Sequence, residues 1–176
     1  RHAQNVRTNC ALCQKVLSAK LPAAASTRVI EVSEVGAEWS IDTAHLSADK
    51  HGFKYLLILV DSFSRWTEIK PVQTADAESA AQFLFEVAGR FGRPTSIRSD
   101  GGRQYDNHLL DSFMALLGVA KHTTLAYRPQ ANGRVERYVG EIKRHLRYIV
   151  LDRRLRDDWS RYLPLVQRMV NTAPHA

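Results

Sequence analysis

The sequence of 176 residues is long enough for one domain of ordinary size whose core needs no covalent staples. Its two cysteines, Cys10 and Cys13, lie too close together to close a useful loop, and the sequence shows no signal peptide or apolar run of transmembrane length. These features argue against a secreted disulfide scaffold and against a membrane protein. The formal charge of +7 and the pI near 9.7 indicate a polyanionic partner.

The charge is distributed in three segments. Residues 1–28 contain five basic and no acidic side chains, residues 29–127 contain nine basic and thirteen acidic, and residues 128–176 contain eleven basic and five acidic. Basic ends therefore flank an acidic middle. This pattern predicts a nucleic acid as the partner of the ends.

Residues 1–20 contain a pair of possible zinc ligands, Cys10 and Cys13, at zinc-ligand spacing. Tetrahedral zinc needs four ligands and only His2 lies nearby, so this segment predicts at most an incomplete zinc site, with two reduced surface thiols as the alternative. The absence of a starting methionine indicates a fragment of a longer protein. Residues 21–36 are predicted to be a linker that leads into a single domain over residues 37–176.

The first part of that domain predicts three antiparallel strands joined by short connections. In the first strand, from Ala37, apolar and polar residues alternate, which places Asp42 in mid-strand. The second strand, Phe53–Asp61, is apolar on both faces, and the third is Trp66–Val72. Because aspartate is disfavoured in strands, Asp42 is expected to have a cation or a metal as its partner.

The second part alternates helices with strands, which predicts parallel pairing. Thr74 or Asp76 is expected to cap the first of these helices. The predicted elements are a helix Asp76–Phe91, a strand Thr95–Ser99, a helix Leu109–Leu117, a strand Ala120–Thr124, a long basic helix from about Arg134 to about Val150, and an amphipathic helix Trp159–Asn171.

Three carboxylates are predicted to meet at one edge of this sheet. Asp42 lies on the first strand, Asp100 follows the fourth, and Glu136 lies in the first turn of the basic helix, after a loop rich in turn-forming residues. Glu136 has a simpler interpretation as a helix-stabilising acid at the positive end of the helix dipole. Clustered carboxylates repel each other, however, so a hard divalent metal, most simply a pair of Mg²⁺ ions, would explain all three.

Three motifs resemble the catalytic core of retroviral and retrotransposon integrases. They surround the three acids and read Trp39-Ser-Ile-Asp42-Thr-Ala-His-Leu, Ser99-Asp100-Gly-Gly-Arg-Gln-Tyr105 and Tyr127-Arg-Pro-Gln-Ala-Asn-Gly-Arg-Val-Glu136-Arg137. The 35 residues between Asp100 and Glu136 match the spacing of that family's Asp, Asp, Glu triad. The resemblance extends from about Ala37 to His175.

The resemblance implies a ribonuclease H-like α/β fold with a mixed five-stranded sheet. It also implies a polynucleotidyl transferase that trims and joins double-stranded DNA ends, acts as a homo-oligomer, and works in the nucleus or in the viral or element particle. Asp42, Asp100 and Glu136 would bind Mg²⁺ or Mn²⁺. Two further groups of residues are implied in binding: Tyr127, Gln130 and Asn132 on a DNA-contacting loop, and Cys10 and Cys13 as the second half of a zinc domain that binds Zn²⁺ when complete.

The face of the basic helix gives a further prediction. Glu136, Gly140, Lys143 and Arg147 are spaced to share one face, so Lys143 and Arg147 are expected to contact DNA phosphates, with a solvated basic stripe as the alternative. Three other functions stay open. These are a domesticated integrase that binds DNA without cutting it, a related transposase or nuclease, and a glycosidase, which would leave the basic ends and the third acid without a role.

Overall fold

The computed structural model describes residues 34–99, 105, 107–123, 140–148 and 156–172. Within these residues, five strands form one sheet in the order β3-β2-β1-β4-β5. The strands are β1 (Glu38–His45), β2 (Tyr55–Asp61), β3 (Thr67–Val72), β4 (Ser96–Ser99) and β5 (Ala120–Thr123). The predicted mixed five-stranded α/β sheet is confirmed.

Strand β1 lies at the centre of the sheet and has partners of both orientations. It runs antiparallel to β2, where Asp42 pairs with Ile58, and parallel to β4, where Ile41 pairs with Ser99. The sheet therefore changes from antiparallel to parallel pairing at β1. Asp42 and Asp100 are the residues that follow Ile41 and Ser99 in the chain, although Asp100 itself lies outside the described residues.

The helices are α1 (Ala77–Phe91), α2 (His108–Leu117), α3 (residues 140–148) and α4 (Leu163–Thr172), with a 3₁₀ helix at Arg156–Tyr162. The predicted start of the last helix at Trp159 is wrong. Asp158 has a non-helical backbone, and the α-helix begins only at Leu163. Pro164 explains this start, because proline lacks the N–H that a helix interior needs and fits the first turn.

Each face of the sheet packs against its own set of helices. Strand β2 shows the division, since Leu57 and Leu59 join the core under α1 and α2, whereas Leu56, Ile58 and Val60 join the core under α3, the 3₁₀ helix and α4. The predicted burial of this strand on both faces is confirmed. In the part of the chain that the structure describes, no helix is both long and apolar enough to cross a membrane.

The start of α1 provides a test of local stability. Asp76 is its N-cap, and one carboxylate oxygen accepts the amide of Ser79 at 2.8 Å, while the Thr74 hydroxyl donates to the other at 2.6 Å. Asp76→Ala should lower the free energy of unfolding by about 1 kcal/mol, because the first turn loses its acceptor. Urea unfolding measures this, and Glu78→Ala, which removes an acid from the same turn without removing the cap, should cost less.

This loss should depend on pH. The Thr74 hydroxyl, followed by the Ser79 amide, holds the pKa of the Asp76 carboxyl below its usual value. A lowered folded-state pKa gives stability that is complete above the unfolded pKa and is lost as the pH falls through the folded pKa. The difference between Asp76→Ala and the parent should therefore shrink below about pH 4. A difference that stays constant down to acid unfolding would contradict the cap assignment.

Candidate active site

Asp42 lies in the middle of the central strand and faces the side of the sheet that α3 covers. It shares this side with Ser40 and Ala44, and Ala44 belongs to the core that includes Ile142 and Leu146 of α3. The backbone amide of Thr43 donates to Asp42 Oδ1 at 2.7 Å. The second oxygen, Oδ2, remains available to a cation.

A lysine of α3 supplies that cation in the structure. Lys143 Nζ lies 2.8 Å from Asp42 Oδ2, and the two residues are 101 positions apart in the chain. The side chains are partly buried, with 37% of Lys143 and 27% of Asp42 exposed. The sequence-based expectation that a carboxylate in this strand would have a cationic partner is thus met by a side chain.

The packing of α3 explains why Lys143 reaches Asp42. Ile142 and Leu146, one turn apart, are fully buried against the sheet together with Trp159. Lys143 follows Ile142 and is therefore held beside β1. Arg147 is exposed on the next turn, and a Cβ atom added at Gly140 would meet no atom of the described residues within 4 Å. Within the described part of the chain, this face of α3 is therefore uncovered at Gly140 and Arg147, and Lys143 between them contacts Asp42.

The remaining predicted site residues lie outside the described part of the chain. These are Asp100, Glu136, Tyr127, Gln130, Asn132, Cys10 and Cys13. Among the described residues, no three histidine, cysteine, aspartate or glutamate side chains are grouped closely enough to hold a metal ion.

Burial, followed by the charge of Arg144, lowers the pKa of the His145 ring, so this histidine is mostly neutral at pH 7.

Two contacts beside Asp42 were not predicted from the sequence. Arg98, which pairs in register with Ser40, is buried and donates to Glu38 Oε2 at 2.7 Å on the same side of the sheet. On the opposite side, the Tyr105 hydroxyl lies 2.5 Å from Thr43 Oγ1. The only sequence signal for these contacts is the alternation of side chains along β1, which gives the side but not the partner.

The contact between Tyr105 and Thr43 links the motif that contains Asp42 to the motif that contains Asp100. Tyr105 is fully buried and lies five residues after Asp100, and Thr43 follows Asp42. Tyr105→Phe and Thr43→Val should each lower the free energy of unfolding by about 1 kcal/mol. The double variant should lose less than the sum, because both substitutions remove the same hydrogen bond. Urea unfolding of the four proteins measures this coupling, and Thr43→Ser, which keeps the hydroxyl, is the control. Strictly additive losses would show that the contact contributes nothing.

Comparison with known proteins shows the family of this chain. Residues 33–129 match the Integrase core domain family. The chain is 32% identical over 174 residues to the Gag-Pol polyprotein of Feline leukemia virus, and 35% identical over 175 residues to the Pol polyprotein of Radiation murine leukemia virus (strain Kaplan). Each alignment covers 98% of the chain, but the chain spans only 10% and 30% of those polyproteins.

Two solved structures share the fold at low sequence identity. The catalytic core domain of BIV integrase superposes with a TM-score of 0.64 at 21% identity, over 80% of this chain and 87% of that one. A simian T-cell lymphotropic virus intasome, solved in complex with PP2A regulatory subunit B56 gamma, superposes with a TM-score of 0.66 at 20% identity, over 99% of this chain and 67% of that one. The ribonuclease H-like fold is therefore confirmed, and the chain belongs to the integrase core domain family.

Proposed function

We propose that this chain is the catalytic core of a DNA integrase that trims the 3′ ends of element DNA with water and then joins them to target DNA with the freed 3′ hydroxyl. The observation that carries the proposal is the position of Asp42. It lies mid-strand at the point where the sheet changes from antiparallel to parallel pairing, and its Oδ2 atom faces a cation. Open α/β sheets bind ligands at the carboxyl ends of their parallel strands, and Asp42 directly follows Ile41, which pairs with Ser99 at the end of β4.

The chemistry of the three predicted ligands suits a hard divalent metal, and Asp42 is the one of them that the structure describes. Asp42 Oδ2 holds the Lys143 ammonium, so this carboxylate oxygen is already presented to a positive charge rather than bound to backbone. Asp42, Asp100 and Glu136 would together hold Mg²⁺ or Mn²⁺, which prefer such oxygen ligands. When bound, the metal pair activates the attacking oxygen and stabilises the leaving one. The chain's own contribution, as far as the structure describes it, is to hold the Asp42 carboxylate on the central strand of the sheet.

The DNA is proposed to lie along the open face of α3. Lys143 and Arg147 would contact its phosphates, while Tyr127, Gln130 and Asn132 would contact the substrate from the preceding loop. Gly140 favours close approach, since it has no side chain and no described residue lies within 4 Å of a Cβ atom added there. Each lost phosphate contact should lower the dependence of log binding constant on log salt by about one unit.

Salt-dependent affinity for duplex DNA, measured in the presence of Mn²⁺, checks this interface. Lys143→Gln and Arg147→Gln should each give a smaller slope than the parent, whereas Arg161→Gln, in the 3₁₀ helix and 76% exposed, should not. The substitutions should weaken binding to all sequences alike, because phosphates carry no sequence information. Equal slopes for the parent and all three variants would show that DNA does not bind to this face of α3.

Three further assignments extend the proposal to the longer protein. Cys10 and Cys13 would complete a Zn²⁺ site with ligands outside this chain, the protein would act as a homo-oligomer, and it would work in the nucleus or in the viral or element particle. The test of the function itself is Mg²⁺-dependent cleavage of a labelled branched or pre-nicked duplex. Cleavage that needs the metal and Asp42 supports the proposal, and stable DNA binding without cleavage under any divalent metal would contradict it.

A further inference from the structure

We propose that Lys143 is the resident counter-cation of Asp42, and that it leaves this carboxylate for a DNA phosphate when a divalent metal binds, so that one side chain couples metal loading to DNA loading. The inference rests on the proposed function. It adds a regulatory contact that neither the metal ligands nor a DNA-binding surface alone would require.

The contact joins one particular oxygen of Asp42 to one particular cation of α3. Lys143 Nζ lies 2.8 Å from Asp42 Oδ2, whereas Oδ1 accepts the Thr43 amide at 2.7 Å. The lysine therefore occupies the oxygen that the backbone leaves available. Both side chains are partly shielded from water, which reduces screening of the pair. Neighbouring Arg144 does not share this role, because its guanidinium pairs with Glu141 at 2.9 Å.

The Lys143 side chain can reorient without a movement of its helix. Ile142 and Leu146 are fully buried and fix the position of α3 on the sheet. Lys143 reaches Asp42 with a flexible four-carbon stem that carries a compact charge, and the charge can turn to another anion without moving the backbone. Among the described residues, none covers α3 at Gly140, and Arg147 is exposed, so the ammonium can turn toward this side of the helix.

A metal and this ammonium compete for one oxygen. A divalent ion that coordinates Asp42 Oδ2 repels the lysine and takes over its partner, so metal binding requires the ion pair to open. Once the ion pair is open, the Lys143 ammonium can donate to a DNA phosphate. Since metal and DNA both favour the open arrangement, each raises the affinity of the other, and the effect is reciprocal.

The two steps can be measured apart. Mn²⁺ binding to the full chain, without DNA, is titrated by the electron paramagnetic resonance signal of the free ion. Lys143→Gln should bind Mn²⁺ about two- to fivefold more tightly than the parent, the range that a partly exposed ion pair allows. Arg144→Gln removes the same charge from the next position and should change the affinity less. Asp42→Asn should lose binding.

DNA coupling uses a blunt duplex with dideoxy 3′ termini, so that no joining occurs. Adding Mn²⁺ should raise the parent's affinity for this duplex by a factor about two to five larger than it raises that of Lys143→Gln, because only the parent gains a released lysine. Arg144→Gln should respond like the parent. The comparison is made at one salt and metal concentration, which cancels direct binding of Mn²⁺ to DNA.

The outcomes separate the inference from the function on which it rests. If Asp42→Asn loses Mn²⁺ binding but Lys143→Gln and Arg144→Gln show the same affinity change, the lysine acts only through its charge and the exchange is overturned while the metal site stands. An equal gain of DNA affinity in parent and Lys143→Gln also overturns it. If the parent binds no Mn²⁺, or Asp42→Asn binds it equally well, both the exchange and the proposed function fail.

Discussion

Asp42→Asn should abolish metal-dependent cleavage of branched DNA while the fold stays intact. An amide keeps the size of the side chain but removes the negative charge that a hard cation needs. Loss of one group that stabilises charge in a transition state lowers the rate by about 10²–10³-fold or more. The unfolding free energy should fall by no more than about 1 kcal/mol, because the lost pair with Lys143 is partly exposed.

A matched control distinguishes the loss of the Asp42 carboxylate from the loss of a lysine-paired carboxylate elsewhere in the protein. Asp111 also pairs with a lysine, Lys121, at 2.6 Å, but it lies on α2 and is 54% exposed. Asp111→Asn should cleave DNA at the parent's rate. Cleavage by Asp42→Asn at a rate within about threefold of the parent, a difference under 1 kcal/mol in the barrier, would show that Asp42 does not take part in the chemistry.

The largest loss of stability is expected at Trp159. This side chain is fully buried between α3, α4 and the sheet, and its indole N–H donates to the Ser47 carbonyl at 2.9 Å. Trp159→Ala should lower the free energy of unfolding by about 3–5 kcal/mol, since it removes a large buried ring and leaves a cavity. Urea unfolding measures the loss.

Two variants calibrate this result. Trp159→Phe keeps most of the apolar contact and loses only the hydrogen bond, so it should cost less than the alanine variant. Leu165→Ala, at a residue of α4 that is 55% exposed, should change stability by about 0.5 kcal/mol or less. A loss of unfolding free energy in Trp159→Ala no larger than that in Leu165→Ala would mean that packing of the 3₁₀ helix against this core does not stabilise the fold.

Local sequence patterns predicted the sheet well. The run Leu56 to Val60 has no polar residue to mark a solvent face, which identifies a strand covered on both sides, and Asp76 lies just before an amphipathic helix whose first turn needs an acceptor. The period of two along β1 placed Asp42 in mid-strand. These signals depend only on neighbours in the chain.

Contacts between residues that are far apart in the chain cannot be predicted from such local patterns. The pairing of Lys143 with Asp42 depends on how Ile142 and Leu146 seat α3 on the sheet, and the contact of Tyr105 with Thr43 depends on a turn that returns to β1. The start of α4 was misplaced because Trp159 continues the apolar period, although it belongs to a 3₁₀ helix. The apolar period predicts which residues are buried but not which kind of helix carries them.

A strand-transfer assay tests the proposed chemistry most directly. Labelled duplex ends are mixed with unlabelled target DNA, Mg²⁺ and the protein. An integrase core predicts labelled strands longer than the donor, dependent on the metal and on a donor 3′ hydroxyl, and lost in Asp42→Asn. DNA that is bound but never joined, or strands that are only shortened by water, would contradict a polynucleotidyl transferase.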